Sequence, residues 1–285
     1  MKGKTVLVTG ANSGMGKATV AALADMGAKV VMLCRSAERG QQAFEEIMRV
    51  PGRDVRLMLC DLANMDSIRT FAQSFKAEYS YLDVLINNAG VITLDRRETA
   101  DGLELQFGVN HIGHFLLTLL LLPPLMNAPA GRIVVVGSGA HNVGKIHFDD
   151  LNLKHYNVVK SYSQSKLANL LFVRELDRRL KKRGITVTVN CAHPGAVATQ
   201  MGVDRKTHFG KTIVGMLRPF FLTPEQGART AVRLASDPAL ASVSGEYFYR
   251  SEMYRSSKRS KDMDAAKRLF DLSEQIASVK LEDCI

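Results

Sequence analysis

The sequence predicts an α/β protein with a doubly wound, mostly parallel sheet of seven strands flanked by helices. Three observations support this fold class. Short apolar runs alternate along the chain with segments of helical spacing, the pattern of repeated βαβ units. Several of these runs are apolar at every position, as expected for strands that are covered on both faces. A glycine-rich loop follows the first run, where a doubly wound protein turns from its first strand into its first helix.

Each element is assigned from its own run of residues. The predicted strands are 5–8, 29–33, 55–60, 82–86, 132–136, 185–189 and 246–249. The predicted helices are about 18–24, 37–50, 65–79, 103–122, 163–182, 224–236 and 265–279. Gly27 is a candidate C-cap, and Pro51-Gly52 marks the turn after the second helix. A (β/α)₈ barrel is the alternative, but an eighth clear strand is missing and the glycine loop argues against it.

Length and composition indicate one globular domain over residues 1–285. Hydrophobic residues make up 46% of the chain and charged residues 23%, which excludes disordered, collagen-like and low-complexity classes. No Gly/Ser-rich linker divides the sequence. Residues 196–222 form a long connection between the sixth strand and the next helix, and we expect them to be a substrate lid.

The chain is basic, with 38 Lys and Arg against 28 Asp and Glu, for a net charge of +10. Such a balance suits nucleic acid, an anionic membrane surface or an anionic small molecule. No nucleic-acid-binding motif accompanies the charge, so we expect no nucleic-acid partner. We interpret the basic stretches 174–183, 205–218 and 250–261 as solvated faces, with peripheral membrane contact as the second interpretation.

Neither a metal site nor a membrane anchor is predicted. The four cysteines lack C-x-x-C spacing and the seven histidines lack a third ligand nearby, so we expect no zinc site and no disulfide framework. The apolar run Phe115–Leu122 stops at Pro123, short of the ~20 residues that span a membrane. No signal peptide is visible before the first strand, and the sequence therefore predicts a cytoplasmic protein.

The glycine loop Thr9–Gly16 has the spacing G-x-x-x-G-x-G. At the start of a helix, such a loop lets backbone N–H groups approach a dinucleotide pyrophosphate, although tight strand-to-helix turns also use glycine. The second strand ends in Arg35, where NAD-specific sites carry an acid and an arginine accommodates a 2′-phosphate. The sequence therefore favours NADPH over NADH, with Lys17 adding charge nearby.

Three side chains suggest carbonyl chemistry. Tyr162 and Lys166 are four residues apart in a helical segment and share one face. A nearby ammonium group stabilises a phenolate, so such a pair can give a proton to a carbonyl or take one from an alcohol. Ser138 follows the fifth strand, at the carboxyl edge where doubly wound sheets bind ligands. Each feature alone also fits a surface pair or a turn.

Taken in order, these motifs resemble the short-chain dehydrogenase/reductase family, and the resemblance covers essentially all 285 residues. Asn87–Gly90 (N-N-A-G), Cys60–Leu62 (C-D-L) and His193–Gly195 (H-P-G) also match the family. Residues 109–115 and 165–169 are similar to the retinol-dehydrogenase-like and carbonyl reductase branch. The resemblance implies a single NAD(P)-binding Rossmann domain and a homodimer or homotetramer that pairs through the helices holding Leu116–Leu122 and Tyr162–Lys182.

The resemblance also implies the site residues. The expected catalytic set is Ser138, Tyr162, Lys166 and Asn110, the last supporting a proton relay near the lysine. With the glycine loop and Arg35, the expected cofactor-binding set is Gly10, Asn12, Ser13, Gly14, Met15, Gly16, Arg35, Ser36, Asp61, Leu62, Asn88, Ala89, Gly90, Tyr162, Lys166, Pro194, Gly195, Val197 and Thr199.

The expected activity is NADPH-dependent interconversion of an aldehyde or ketone and its alcohol. Flexible and aromatic side chains near the predicted lid suit a bulky, lipophilic, retinal-like substrate. The candidate pocket residues are His141, Asn142, Val143, Met201, Phe209, Met216 and Leu217. Two alternatives stay open: an NADPH-binding sensor or scaffold without turnover, and a carbon–carbon double-bond reductase similar to the protochlorophyllide reductases.

Overall fold

The computed structural model describes residues 1–195 and 222–285. The predicted lid at residues 196–222 therefore lies, except for its last residue, outside the described ranges.

Within these two ranges the structure contains one open sheet of eight strands in the order β3-β2-β1-β4-β5-β6-β7-β8. The strands are β1 Thr5–Thr9, β2 Lys29–Cys34, β3 Asp54–Leu59, β4 Val84–Asn87, β5 Arg132–Val136, β6 Thr188–His193, β7 Tyr247–Tyr249 and β8 Glu252–Met253. All neighbouring pairs are parallel except β7 and β8, which are antiparallel. The predicted doubly wound α/β class is confirmed, and the sheet does not close into the alternative barrel.

The prediction of seven strands was one strand short. The additional strand, β8, is two exposed residues long and pairs with β7 through a two-residue turn. Both turn residues have positive φ, 51° at Arg250 and 65° at Ser251, the combination that suits a tight hairpin. An exposed strand of this length leaves no apolar run in the sequence.

The sixth strand begins three residues later than predicted. Gly184, with φ of 70°, ends the preceding helix, and the Ile185 N–H bonds back to the Leu180 carbonyl 3.0 Å away. Ile185 therefore completes a helix C-terminus and is not part of the strand.

Nine α-helices are seen in the described ranges. They are α1 Gly14–Asp25, α2 Ala37–Met48, α3 Met65–Glu78, α4 Leu105–Phe107, α5 His114–Leu120, α6 Leu122–Asn127, α7 Val158–Lys182, α8 Pro224–Ser236 and α9 Met263–Ile276. Side-chain caps fix the N-termini of three of these helices, α3, α7 and α9. Asn64, Asn157 and Asp262 each accept a hydrogen bond from a backbone N–H of the following turn. Among these residues, no helix has the length and apolar character needed to cross a membrane.

Helices cover both faces of the sheet. Helices α1, α2 and α8 enclose one apolar core, and α3, α5, α7 and α9 enclose the other. Because both faces are covered, β1, β4 and β5 are buried at every position, as their continuous apolar sequences indicated. The four cysteines, all in the described ranges, are buried free thiols.

The single helix predicted over 103–122 is interrupted by a π-helical turn, Gly108–Gly113. The turn packs closely on its surroundings: a Cβ atom on Gly113 would lie 2.5 Å from the Leu62 carbonyl oxygen. Upstream, the buried Glu104 carboxylate caps α4 by accepting from the N–H groups of Gln106 and Phe107, both at 2.9 Å. Wider π turns are often found at functional sites, and this one carries Asn110.

The C-terminal helix α9 covers the apolar face of α5 and α7. The Phe270 ring lies 4.9 Å from the Phe115 ring and 6.1 Å from the Phe172 ring, centroid to centroid. The Arg179 guanidinium stacks 4.0 Å from the Phe270 centroid. The resemblance implied an interface between copies of the chain through these helices, and on them Phe115 and Phe172 are covered by α9 of the same chain.

We expect Phe270→Ala to lower the free energy of unfolding by about 3–5 kcal/mol, because it removes a buried ring and leaves a cavity. Urea unfolding followed by circular dichroism measures this change. Lys267→Ala on the solvent side of α9 is the matched control, and it should change stability by about 0.5 kcal/mol or less. Equal effects of the two substitutions would mean that α9 does not depend on this packing.

Candidate active site

The glycine loop and the loop after β4 pack backbone against backbone at the carboxyl edge of the sheet. Gly10 has φ of 64°, and a Cβ atom there would lie 2.8 Å from the Ala89 Cα atom. A Cβ atom on Gly16 would overlap the Gly10 carbonyl oxygen. Both positions therefore require glycine. Strand β1 pairs with β2 on one side and with β4 on the other, so the order in which strands are added to the sheet reverses between β1 and β4. The two loops meet at this switch point, the usual ligand crevice of doubly wound sheets.

The amino end of α1 opens from this loop with features that suit an anion. Ser13 precedes the helix and is exposed, and its side chain makes no capping hydrogen bond. The first turn contains Gly14, Met15 and Gly16 and no acidic residue. The helix dipole and N–H groups are therefore oriented toward the place expected for a pyrophosphate.

The charge at the end of β2 comes from Arg35, which is exposed one residue beyond the strand. Ser36 follows it and caps α2, accepting from the Arg39 N–H at 3.4 Å. Lys17, which we expected to add charge here, forms an ion pair with Glu46 on α2 instead. Arg35 is consequently the better placed of the two predicted cations for a phosphate.

The N-N-A-G loop is joined to the end of β1 by hydrogen bonds. The Thr9 hydroxyl oxygen accepts from the N–H groups of Asn88 at 2.9 Å and Ala89 at 2.8 Å. The Asn88 side chain donates to the Thr9 carbonyl at 2.7 Å. On the other side of the crevice, the Asp61 carboxylate accepts from the Ala63 N–H at 3.0 Å and holds the short turn that carries the buried Leu62.

Ser138 follows β5 and is half-buried. Its hydroxyl oxygen accepts from the Ala140 N–H at 3.2 Å, so the hydroxyl hydrogen is left to donate to another group. Its carbonyl oxygen lies 2.7 Å from Nδ1 of His141. These contacts hold the serine at the edge of the sheet with its donor available.

Tyr162 and Lys166 lie one turn apart near the start of α7, as predicted. The Lys166 ammonium is 5.7 Å from the centroid of the Tyr162 ring. The ammonium also donates to the Val136 carbonyl, the last residue of β5, at 3.1 Å. Lys166 is almost fully buried, whereas Tyr162 is half-buried. Since Val136 is two residues before Ser138, this hydrogen bond links the helix that carries Tyr162 to the strand that leads into Ser138.

Asn110 is fully buried in the π turn. Its amide oxygen accepts from the Val91 N–H at 2.8 Å, and its amide nitrogen donates to the Val91 carbonyl and to the Ser165 hydroxyl, each at 3.1 Å. Asn110 thereby connects the N-N-A-G loop to the helix of Tyr162 and Lys166.

The predicted substrate residues fall into two groups. Asn142 and Val143 are exposed beyond Ser138, but His141 is buried, with Nδ1 against the Ser138 carbonyl and Nε2 accepting from the Ser257 N–H at 3.1 Å. Both ring nitrogens of His141 are thus used within the protein, and its structural role is to hold the serine loop. Outside the described ranges lie the other substrate candidates, Met201, Phe209, Met216 and Leu217, and also two predicted cofactor-binding residues, Val197 and Thr199.

Pro194 and Gly195 follow β6 at the same edge of the sheet. Gly195 has φ of 83°, a conformation that favours glycine. In the described ranges, no three His, Cys, Asp or Glu side chains are grouped so as to hold a metal ion.

The sequence reasoning gave no separate role to Thr9 or His114. The structure places the Thr9 hydroxyl 2.9 Å from Nε2 of His114. Thr9 belongs to the recognised glycine motif, so its role could have been suspected. His114 sits in an apolar segment, the only signal being a polar ring at a core position.

Two histidines of the π turn region are buried in their neutral form. Burial lowers the pKa of His111 to about 3 and that of His114 to about 4. In the unfolded chain a histidine titrates near 6.5. Between about pH 6.5 and 4 the unfolded state therefore binds more protons, and stability rises with pH in this window.

We accordingly expect the free energy of unfolding to fall as pH is lowered from 7.5 to 5.5, by up to about 1.4 kcal/mol per pH unit for each buried histidine. Urea unfolding at several pH values measures this slope. His111→Gln should reduce the slope, because one buried imidazole is gone. A slope of zero, or a gain in stability toward acid, would contradict this account.

Comparison with known proteins gives concordant results. The model of the short chain dehydrogenase family matches residues 4–208. Retinol dehydrogenase 14 of Homo sapiens is 44% identical, over 96% of this chain and 86% of that protein. Retinol dehydrogenase 11 of Homo sapiens is 42% identical, over 99% of this chain and 88% of that protein.

Solved structures share the fold. An uncharacterized protein from Mycobacterium paratuberculosis superposes with a TM-score of 0.80 at 36% identity, covering 98% of this chain and 95% of that one. A short chain dehydrogenase from Escherichia coli CFT073, complexed with NADPH, has a TM-score of 0.69 at 23% identity, covering 88% and 98%. The chain therefore belongs to the short-chain dehydrogenase family, as a retinol dehydrogenase-like oxidoreductase with a Rossmann-type α/β fold.

Proposed function

We propose that this chain is an NADPH-dependent oxidoreductase that interconverts an aldehyde or ketone and its alcohol. The observation that carries the proposal is the pairing of Tyr162 with Lys166 on α7, which the Lys166–Val136 hydrogen bond joins to the end of β5, two residues before Ser138. A phenol, an ammonium group and a hydroxyl near the carboxyl edge of a doubly wound sheet suit a reaction in which a carbonyl oxygen gains a proton. The retinol dehydrogenase relatives support the same class of reaction.

The residues present fit a nicotinamide dinucleotide. The amino end of α1 has no side-chain cap from Ser13 and no acidic residue in its first turn, so its N–H groups and the helix dipole suit a pyrophosphate. The adenosine would lie along Asp61, Leu62 and the N-N-A-G loop, and the nicotinamide beside Pro194 and Gly195. These positions follow the family pattern and line one edge of the sheet.

Arg35 supports NADPH as the coenzyme. A guanidinium group stays charged at working pH and binds phosphate oxygens in a fork geometry. The three residues after Arg35 include one acid, Glu38, in the first turn of α2, whereas NAD-specific sites carry the acid at the end of the strand itself. We therefore assign the 2′-phosphate to Arg35.

The side chains then have distinct roles. The bound coenzyme would supply a hydride to the carbonyl carbon of the substrate. Ser138 and Tyr162 would donate hydrogen bonds to the carbonyl oxygen, and Tyr162 would release its phenolic proton as negative charge develops there. Lys166 would stabilise the phenolate that remains. Positioned donors of this kind commonly contribute about 10²–10³ in rate each.

We propose a lipophilic, retinal-like substrate. Support comes from the retinol dehydrogenase relatives at 42–44% identity and from the apolar composition of the sequence between β6 and α8. Val143, two residues past the buried His141, is 68% exposed and adds apolar surface beyond Ser138.

We expect Tyr162→Phe to lower kcat by about 10²-fold or more, because the proton donor is lost, while the Kd for NADPH stays near the wild-type value. NADPH oxidation followed optically with a panel of lipophilic aldehydes and ketones, including a retinal, measures kcat. Fluorescence titration measures the Kd. Tyr81→Phe, at an exposed tyrosine, is the control. Retained turnover in the Tyr162 variant would exclude this assignment.

We expect Arg35→Ala to raise the KM for NADPH by at least about tenfold, since a charge-assisted hydrogen bond contributes about 1.5–3 kcal/mol, and to leave the KM for NADH nearly unchanged. Arg49→Ala removes the same charge at the far end of α2, on an exposed residue, and should alter neither value. A loss of affinity for both coenzymes would mean that Arg35 does not read the phosphate.

A further inference from the structure

Hydrogen bonds and the backbone of loop 88–91 join six residues into one closed circuit, which we call the His114 circuit. Its members are Thr9, Asn88, Ala89, Val91, Asn110 and His114. The loop 88–91 is held at its start by the Thr9 hydroxyl and at its end by the Asn110 side chain. His114 bridges the two holders: its Nε2 lies 2.9 Å from the Thr9 hydroxyl and its Nδ1 lies 3.2 Å from the Asn110 carbonyl.

The direction of each hydrogen bond in the His114 circuit follows from the number of donors and acceptors. The Thr9 hydroxyl already accepts from two N–H groups, so its own hydrogen must be donated to Nε2 of His114. The Asn110 carbonyl can only accept, so the imidazole proton must sit on Nδ1. His114 is thus held as the neutral Nδ1–H form, with one ring nitrogen accepting and the other donating.

The part of the His114 circuit around the imidazole is closed to solvent. Thr9 and Asn110 are 0% exposed, and His114 is 2% exposed. At such depth, a polar atom that loses its partner is left unsatisfied, because water cannot take the vacant position. Loss of either hydrogen bond of His114 should therefore disturb its partner, the Thr9 hydroxyl or the Asn110 carbonyl.

The two sides of the His114 circuit belong to different parts of the proposed site. Thr9 and the N–H groups of Asn88 and Ala89 belong to the coenzyme loops. Asn110 belongs to the catalytic side, where its side chain also reaches Ser165, one residue before Lys166. His114 is the side chain that joins the glycine motif directly to the Asn110 backbone.

We propose that His114 is a positioning residue that makes the coenzyme loops and Asn110 act as one unit. It touches neither coenzyme nor substrate and acts through Thr9 and Asn110. This inference rests on the proposed function for its effect on turnover, but its effect on the loops does not require turnover.

The same turn offers a matched control. His111 is also fully buried, but its Nε2 lies 3.0 Å from the Ser273 hydroxyl of α9, and its ring packs on Phe107 with centroids 5.2 Å apart. Replacing His111 perturbs the core next to Asn110 without removing a hydrogen bond of the His114 circuit.

The test uses two amide side chains, each of which preserves one of the two hydrogen bonds of the imidazole. In His114→Asn the amide nitrogen stands near the place of Nδ1 and keeps the donor to Asn110, but the acceptor for Thr9 is lost. In His114→Gln the amide oxygen reaches the place of Nε2 and keeps the acceptor for Thr9, but the donor to Asn110 is lost. Hydrogen exchange of the 88–91 amides, the Kd for NADPH and kcat are measured for both, and for His111→Asn.

We expect His114→Asn to speed exchange of the 88–91 amides and to raise the Kd for NADPH by about tenfold, the effect of one lost buried hydrogen bond. His114→Gln should keep the Kd within about threefold and lower kcat by about tenfold. His111→Asn should lower the midpoint of thermal unfolding but leave exchange at 88–91, the Kd and kcat close to wild type.

Two results would overturn the inference. If His111→Asn changes exchange, Kd and kcat as much as the His114 variants, then His114 only fills the core. If the Asn and Gln variants of His114 show the same pattern, then its two ring nitrogens have no separate roles. Should the wild-type chain lack turnover, the proposed function fails, but exchange at 88–91, which needs no coenzyme, still decides the role of His114.

Discussion

The carboxyl edge of the sheet depends on how closely the glycine loop approaches the loop after β4. The Gly10 backbone lies so near Ala89 that a Cβ atom would be 2.8 Å from its Cα atom. This approach is possible because β1 pairs in parallel register with β4 and the Thr9 hydroxyl takes both N–H groups of the next loop. A larger residue at Gly10 would separate the two loops and, with them, the two sides of the crevice.

Buried polar groups, more than exposed ones, hold this arrangement. Lys166 reaches the end of β5, Asn110 holds the end of the N-N-A-G loop, and His141 fixes the turn after Ser138. Each group sits where an unmade hydrogen bond is costly, so each contact specifies one geometry. Exposed cations such as Arg35 contribute charge at the rim and leave the framework to these interior bonds.

The sequence predicted most of the sheet correctly because parallel strands covered on both faces are apolar throughout, which makes β1, β2 and β5 easy to recognise. It could not predict β8, two exposed residues after a turn, or the π turn, because Gly108–Gly113 has the spacing of an ordinary helix. Ser138, Tyr162 and Lys166 could be named from spacing and motif order. The bond from His114 to Thr9 could not, because it joins residues 105 positions apart and only the folded chain brings them together.

The cover that α9 provides has a consequence for synthesis of the chain. Phe115 and Phe172 are made long before Phe270, their neighbour in the folded core. While the chain is being translated, the aromatic face of α5 and α7 therefore has no cover, and an apolar surface of this kind is prone to aggregate. The contact with Phe270 forms only after Met263–Ile276 has left the ribosome, so the helix that bears Tyr162 and Lys166 reaches its final packing only once that segment has been synthesised.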